Sequence, residues 1–397
     1  MALDLTREQE AMLNGEQGEV VERSFRLLMR LGEIYGARDM IPVGSVQVAG
    51  VSYKSIGDPG LEFLQDYARL GAKVRVLTYL NPAGMDMKSW KALGFPKDFA
   101  AKQMSIMNAF KKMGIVTTAT CTPYLCGNLP RFREHIAWSE SSAVAFANSV
   151  IGARTNREGG PSALAAAICG VTPNYGLHLD QNRKPGIVIS VDTELRHSSD
   201  YGALGYHIGK IVKNKVPYFR GLKDADTDQL KALGAAMAAS GAVGLYHAEN
   251  LTPEAPLMET KDLETVHVSS RDLEETYGKL NTGEAPDIAV LGCPHASLRE
   301  IATLASKLEG RKLKKPIWVC TSRLLRQAAD LMGYTRRIEA AGGKVVADTC
   351  MVVSPLEDMG YKTTAVDSGK AANYLPGFCK QSVVFGNVDE LIRRLAA

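Results

Sequence analysis

Apolar positions in this chain fall into two alternating patterns, one at helical spacing and one in short unbroken runs, and the alternation continues almost throughout. Residues 6–35 carry Met12, Leu13, Val20, Val21, Phe25, Leu28 and Met29 at helical spacing, behind a capping Thr6 and several acidic residues, and predict a helix. Short apolar runs at 73–78, 114–119, 186–191, 288–291, 316–319 and 344–347 predict buried strands, each ending close to a Gly, Pro, Thr or Cys. Helices are expected between strands at 59–70, 98–112, 295–309 and 323–341, and another at 141–150. The pattern predicts α/β domains with parallel sheets, whose ligands bind beyond the carboxyl ends of the strands.

A chain of 397 residues exceeds what one hydrophobic core usually serves. Three α/β domains are expected, approximately 1–150, 151–285 and 286–397. The polar stretch 250–285, with Pro253 and Pro256, contains a connection between the last two. The formal net charge of +4 is small for this size and gives no reason to expect nucleic acid. The charged start lacks the apolar core of a signal peptide, and no stretch approaches eighteen uninterrupted apolar residues, so a cytoplasmic location without a membrane partner is expected. Seven cysteines, an odd number without regular spacing, point to reduced thiols rather than a disulfide framework.

Three of those thiols stand in turn-like settings after predicted strands: Cys121 in Thr-Cys-Thr-Pro-Tyr, Cys293 in Leu-Gly-Cys-Pro-His and Cys350 in Asp-Thr-Cys-Met. They suggest an iron-sulfur site, because three thiolates would leave one iron of a cubane cluster free to act as a Lewis acid. The alternative is that they are small buried hydrophobes, as free cysteines commonly are.

Several loops are too rich in small and polar residues to be explained by core packing alone. The stretch 41–58 surrounds Ser52 and Lys54 with glycines, either as an anion-approaching loop or as a turn at a strand end. Asn81, in Tyr-Leu-Asn-Pro-Ala-Gly, either caps a helix or meets a substrate. Glu140 and Ser141 sit at a predicted helix start, where capping and ligand binding are compatible. Arg154, Asn156, Arg157 and Glu158 form a dense polar loop before Gly159-Gly-Pro161. Arg323, after the strand ending at Cys320, and Lys370, after a turn that reads as a helix start, are candidate anchors for a substrate anion.

Six segments carry a resemblance to a known family: Ala49-Gly-Val-Ser-Tyr-Lys54, Leu80-Asn-Pro-Ala-Gly84, Thr120-Cys-Thr-Pro-Tyr124, Ile136-Ala-Trp-Ser-Glu-Ser-Ser-Ala143, Ala153-Arg-Thr-Asn-Arg-Glu-Gly-Gly-Pro161 and Pro173-Asn-Tyr-Gly-Leu-His-Leu179. In order, and over essentially the whole chain, they resemble the aconitase X family. The resemblance implies an aconitase-superfamily fold, with several α/β domains and largely parallel sheets around a central iron-sulfur site. It places Cys121, Cys293 and Cys350 at the cluster positions and implies a [4Fe-4S] cluster with one iron not ligated by protein. No two cysteines here have Cys-x-x-Cys spacing, which agrees with the family. Cys126 and Cys320 remain rival ligands, while Cys169 and Cys379 read as structural.

By the same resemblance, Gly50, Val51, Ser52, Asn81, Pro82, Glu140, Ser141 and Lys370 contact the substrate. The implied activity is that of a hydro-lyase converting (R)-5-phosphomevalonate to trans-anhydromevalonate 5-phosphate, within an alternative mevalonate route to isoprenoids. The implied partner is a small swivelling-domain subunit, forming a heterodimer and contributing a serine base, so no catalytic base is expected in this chain. Two other readings stay open: a two-subunit cis-3-hydroxy-L-proline dehydratase and a non-catalytic iron-sulfur sensor.

Overall fold

The computed structural model describes residues 3–396. Three parallel sheets organise the chain, as the alternation of apolar patterns predicts. The first orders its strands Val116–Ala119, Leu77–Leu80, Ser45–Val48 and Ala137–Trp138. The second runs Thr265–Val268, Ile187–Val191, Pro217–Arg220 and His247–Ala248. The third has five strands, Gly343–Ala347, Ile317–Thr321, Ile288–Leu291, Thr363–Val366 and Ser382–Phe385. A short antiparallel pair, Met40–Pro42 with Val171–Pro173, stands apart.

Each sheet is covered by helices whose apolar stripes face it. Phe25 and Leu28 of the helix Glu19–Tyr35 are fully buried in one core with Val46, Leu80 and Phe110, and that helix packs on the alanine-rich helix Gly160–Cys169. Full burial of one such Phe or Leu stabilises by about 1.5–3 kcal/mol. The second and third sheets share one core, in which Ile189, Phe219 and Leu233 are continuous with Ile288, Val290, Leu375 and Phe385.

Several elements differ from the expectation. The helix expected over 6–35 is two helices, Arg7–Leu13 and Glu19–Tyr35, because Gly15 and Gly18 adopt positive φ between them. The helix expected over 323–341 breaks at Gly333 into Arg323–Leu331 and Tyr334–Ala340. Within 41–58 the structure places a central, wholly buried strand, Ser45–Val48, ahead of the turn at Gly50. The run at 73–78 contributes only its end to a strand at Leu77–Leu80. After Glu140 the α-helix Ser141–Phe146 continues as a π-helical turn, Ala147–Ile151.

No helix among the described residues is long and apolar enough to cross a membrane.

Candidate functional site

The carboxyl ends of the first and third sheets meet. Ala83, beyond the strand Leu77–Leu80, donates its N–H to the Asp348 carbonyl at 2.7 Å, and Cys350 donates its own to the Ala83 carbonyl at 3.1 Å. Cys121 follows the strand Val116–Ala119, Cys293 follows Ile288–Leu291 and Cys350 follows Gly343–Ala347. The Cys293 turn depends on Gly292, whose φ is +84° and where a Cβ would lie 2.1 Å from the Cys320 carbonyl oxygen.

The three thiols share one electrostatic setting. Burial pushes each of them up, Cys293 to about 12, and the Lys370 ammonium draws each of them down. Cys121 is raised further by Glu140, Cys350 and Cys293, and a hydrogen bond with Ser368 lowers Cys293. As free groups these thiols are protonated at neutral pH, and a coordinated metal would displace the proton. All seven cysteines are free.

Beside them lies a buried ion pair. Glu140 caps the helix Ser141–Phe146 and receives hydrogen bonds from Asn81 Nδ2 at 2.7 Å and Ser141 Oγ at 3.2 Å. Lys370, in the first turn of the helix Gly369–Cys379, donates to Glu140 Oε1 and, at 3.2 Å, to Ser142 Oγ. Burial alone would raise the Glu140 carboxyl, but the attraction of Lys370 and the hydrogen bonds outweigh it and hold the group at about 2. Burial likewise opposes the charge on Lys370, yet Glu140 and the thiols raise its pKa overall. The remaining Asn81 oxygen, Oδ1, is buried without a partner.

Gly50, Val51 and Ser52 reach the same junction. Gly50 turns the chain at φ +78°, Val51 is buried, and Ser52 Oγ donates to the Val353 carbonyl at 2.7 Å, three residues past Cys350. Pro82, between Asn81 and Ala83, is buried.

The rival thiols have other surroundings. Cys126 Sγ contacts Ser322 Oγ at 3.0 Å, and Cys320 sits inside the strand Ile317–Thr321, although Cys350 and Cys293 raise its pKa after burial does. Cys169 faces the first core, and Cys379 meets the Val352 carbonyl at 3.2 Å.

The polar loop at 154–158 is largely structural. Arg154 donates to the His178 carbonyl at 3.1 Å, Asn156 to the Tyr175 carbonyl at 3.0 Å, and Glu158 accepts from Ser162 at 2.6 Å. Arg323 is engaged by Asp86 at 2.6 Å and by Asp348.

Sequence reasoning missed Ser142, Ser368 and His295. Ser142 was visible as a hydroxyl beside Glu140 and Ser368 as a helix start; His295, two residues past Cys293, had only that proximity to mark it.

Residues 2–181, 185–278 and 286–397 match, respectively, the aconitase X first, second and third domains. The chain belongs to the aconitase X family. Among aconitase X relatives, the phosphomevalonate dehydratase large subunit of Methanocaldococcus jannaschii is 56% identical, over 98% of this chain and 99% of that one. The cis-3-hydroxy-L-proline dehydratase of Pseudomonas aeruginosa is 34% identical over 96% of this chain, which spans 67% of that protein. The crystal structure of Thermococcus kodakaraensis aconitase X in its holo-form superposes with a TM-score of 0.93 at 48% identity, covering 98% of this chain and 99% of that one. The α/β architecture with parallel sheets is therefore the aconitase X fold.

Proposed function

We propose that this chain is the cluster-bearing large subunit of a hydro-lyase that removes water from (R)-5-phosphomevalonate to give trans-anhydromevalonate 5-phosphate. Kinship supports the substrate, since the relatives similar over nearly their full length include large subunits named for it, and the hydroxyproline dehydratases are more distant and longer. The single observation that carries the chemistry is the meeting of three free thiols with the buried Lys370–Glu140 pair where two parallel sheets converge.

The residues present fit an iron-sulfur cluster. Cys121, Cys293 and Cys350 come from three separate strand ends and lie within the field of one cation, which offsets part of the burial that disfavours their thiolate forms. Among the described residues, no three Cys, His, Asp or Glu side chains are placed to hold a single metal ion. Cys121, Cys293 and Cys350 would hold a [4Fe-4S] cluster, which would supply a Lewis acid for a substrate oxygen.

The chain's own side chains bind and orient. Glu140, held ionised, is an acceptor rather than a proton donor at neutral pH. It fixes the Asn81 amide with Nδ2 toward the carboxylate, which leaves Oδ1 to accept from a substrate hydroxyl. Lys370 offers positive charge to the substrate carboxylate, while the Gly50–Ser52 turn and Pro82 shape the wall beside Cys350. Ser141 adds a hydroxyl next to Glu140. The base that takes the carbon-bound proton comes from a serine of a small swivelling-domain subunit, so the large chain alone is inactive.

The test is turnover by the anaerobically reconstituted pair of subunits, offered (R)-5-phosphomevalonate and cis-3-hydroxy-L-proline separately. Dehydration of the phosphorylated substrate supports the assignment; turnover of hydroxyproline alone overturns it.

A further inference from the structure

One side chain joins the loops of all three site cysteines. The backbone N–H of His295 donates to Cys121 Sγ at 3.1 Å. Its ring contacts Thr120 Oγ1 through Nδ1 at 3.0 Å and the Thr349 carbonyl through Nε2 at 2.8 Å. Residue 295 itself belongs to the Cys293 loop, Thr120 precedes Cys121, and Thr349 precedes Cys350. His295 is 1% exposed, so these bonds are shielded from bulk solvent.

The chemistry of the partners places a hydrogen on Nε2. A carbonyl oxygen only accepts, so Nε2 carries the hydrogen that points at Thr349, while Nδ1 pairs with the Thr120 hydroxyl, which can both donate and accept. Thr120 Oγ1 in turn accepts from the Thr122 N–H at 3.1 Å, which orients its own hydrogen away from that amide. The chain of bonds thus runs from the Cys121 loop through the imidazole to the Cys350 loop. These contacts join positions 175 and 54 residues apart, respectively.

We propose that His295 is a positioning residue for the iron-sulfur cluster: through its two ring nitrogens it holds the three ligand loops in register, and its amide N–H stabilises the Cys121 thiolate. The inference rests on the cluster reading above. A ligand set assembled from three distant loops needs a tie between them, and outer partners of metal ligands orient them and tune the metal. An N–H donated to a ligating sulfur also stabilises its negative charge, one of the influences on a cluster's electronic properties.

The experiment compares the wild-type large subunit, in complex with its small subunit, with His295→Gln and His295→Leu after anaerobic reconstitution. Gln can offer both an acceptor and a donor; Leu offers neither. Readouts are iron and sulfide per chain, the rate of cluster loss to a chelator, and the visible and electron paramagnetic resonance spectra. Cluster loss is expected to be about ten- to a hundredfold faster in the Leu variant, with partial rescue by Gln. Thr120→Val, which removes the Nδ1 partner together with the acceptor for the Thr122 N–H but leaves the imidazole on Thr349, should fall between wild type and Leu, and it tests the same tie if the Leu variant does not fold.

Wild-type retention times and spectra in Leu, or in Thr120→Val where Leu does not fold, overturn the positioning role. A wild-type complex that takes up no cluster overturns the cluster reading instead, which keeps the two failures apart.

Discussion

Lys370 and Glu140 form a buried ion pair that spans the junction of the first and third sheets, with 8% and 12% of their side-chain surfaces exposed. The pair also faces the three cysteines, whose thiols Lys370 lowers and Glu140 raises. Two charges taken out of water stabilise little as a pair, but leaving either alone is costly. Lys370→Met or Glu140→Gln should each destabilise the large subunit by about 3–5 kcal/mol in urea unfolding. The double variant should recover most of that stability while turnover stays lost.

The acid limb of stability follows from the same pair. The Glu140 carboxyl lies near 2 in the folded protein against an ordinary 4.5. Its contribution is therefore fully present above about 4.5 and is lost as pH falls toward 2. The difference in unfolding free energy between wild type and Glu140→Gln should shrink over that interval and stay constant from pH 6 to 8.

Asp367 should behave in the opposite sense. Burial first, and then Glu300, push its carboxyl up to about 7, and the Lys231 ammonium offsets them only in part. It lines a cavity of about 310 Å³ with Asp228, Arg299 and Glu300. A carboxyl raised on folding contributes stability that is present below its ordinary 3.8 and lost as pH rises through 7. Asp367→Asn should thus stabilise the protein at pH 8, by at most about 4 kcal/mol because the cavity admits solvent, and should gain nothing at pH 4. Unfolding midpoints at the two pH values check the sign.

Cysteine replacement separates ligand from core. Ala at Cys121, Cys293 or Cys350 should abolish cluster absorbance, whereas Ala at Cys126, Cys169 or Cys379 should leave it. A complete cluster in the Cys350 variant would move the third ligand to Cys320.

Gly292→Ala tests the turn rather than the thiol. The new methyl group would meet the Cys320 carbonyl at 2.1 Å in a left-handed backbone. It should cost about 1–3 kcal/mol and displace Cys293, lowering iron content without removing any sulfur ligand.

Three of the five strands in the third sheet were legible because Ile288–Leu291, Ile317–Thr321 and Gly343–Ala347 are short, largely buried apolar runs, whereas Thr363–Val366 and Ser382–Phe385 were not. Neither was Ser45–Val48. Its Gln47 is fully buried and spends its amide on the Thr120 carbonyl, a contact 73 residues away that no local pattern encodes. At the site, Asn81, Glu140, Ser141 and Lys370 were expected together on family resemblance, and the structure joins them through Glu140. His295 escaped notice for the reason that hid Gln47: its partners lie in distant loops. Arg154, Asn156 and Glu158 were legible only as a dense polar loop, because polar density reads the same whether it serves a ligand or the loop's own backbone.

The most direct test of the central claim is Mössbauer spectroscopy of the two-subunit complex reconstituted with iron-57, recorded before and after (R)-5-phosphomevalonate is added. A cluster on Cys121, Cys293 and Cys350 with one open iron predicts that a single iron subsite changes its isomer shift and quadrupole splitting on substrate addition while the others hold. Spectra that stay identical with saturating substrate would contradict it.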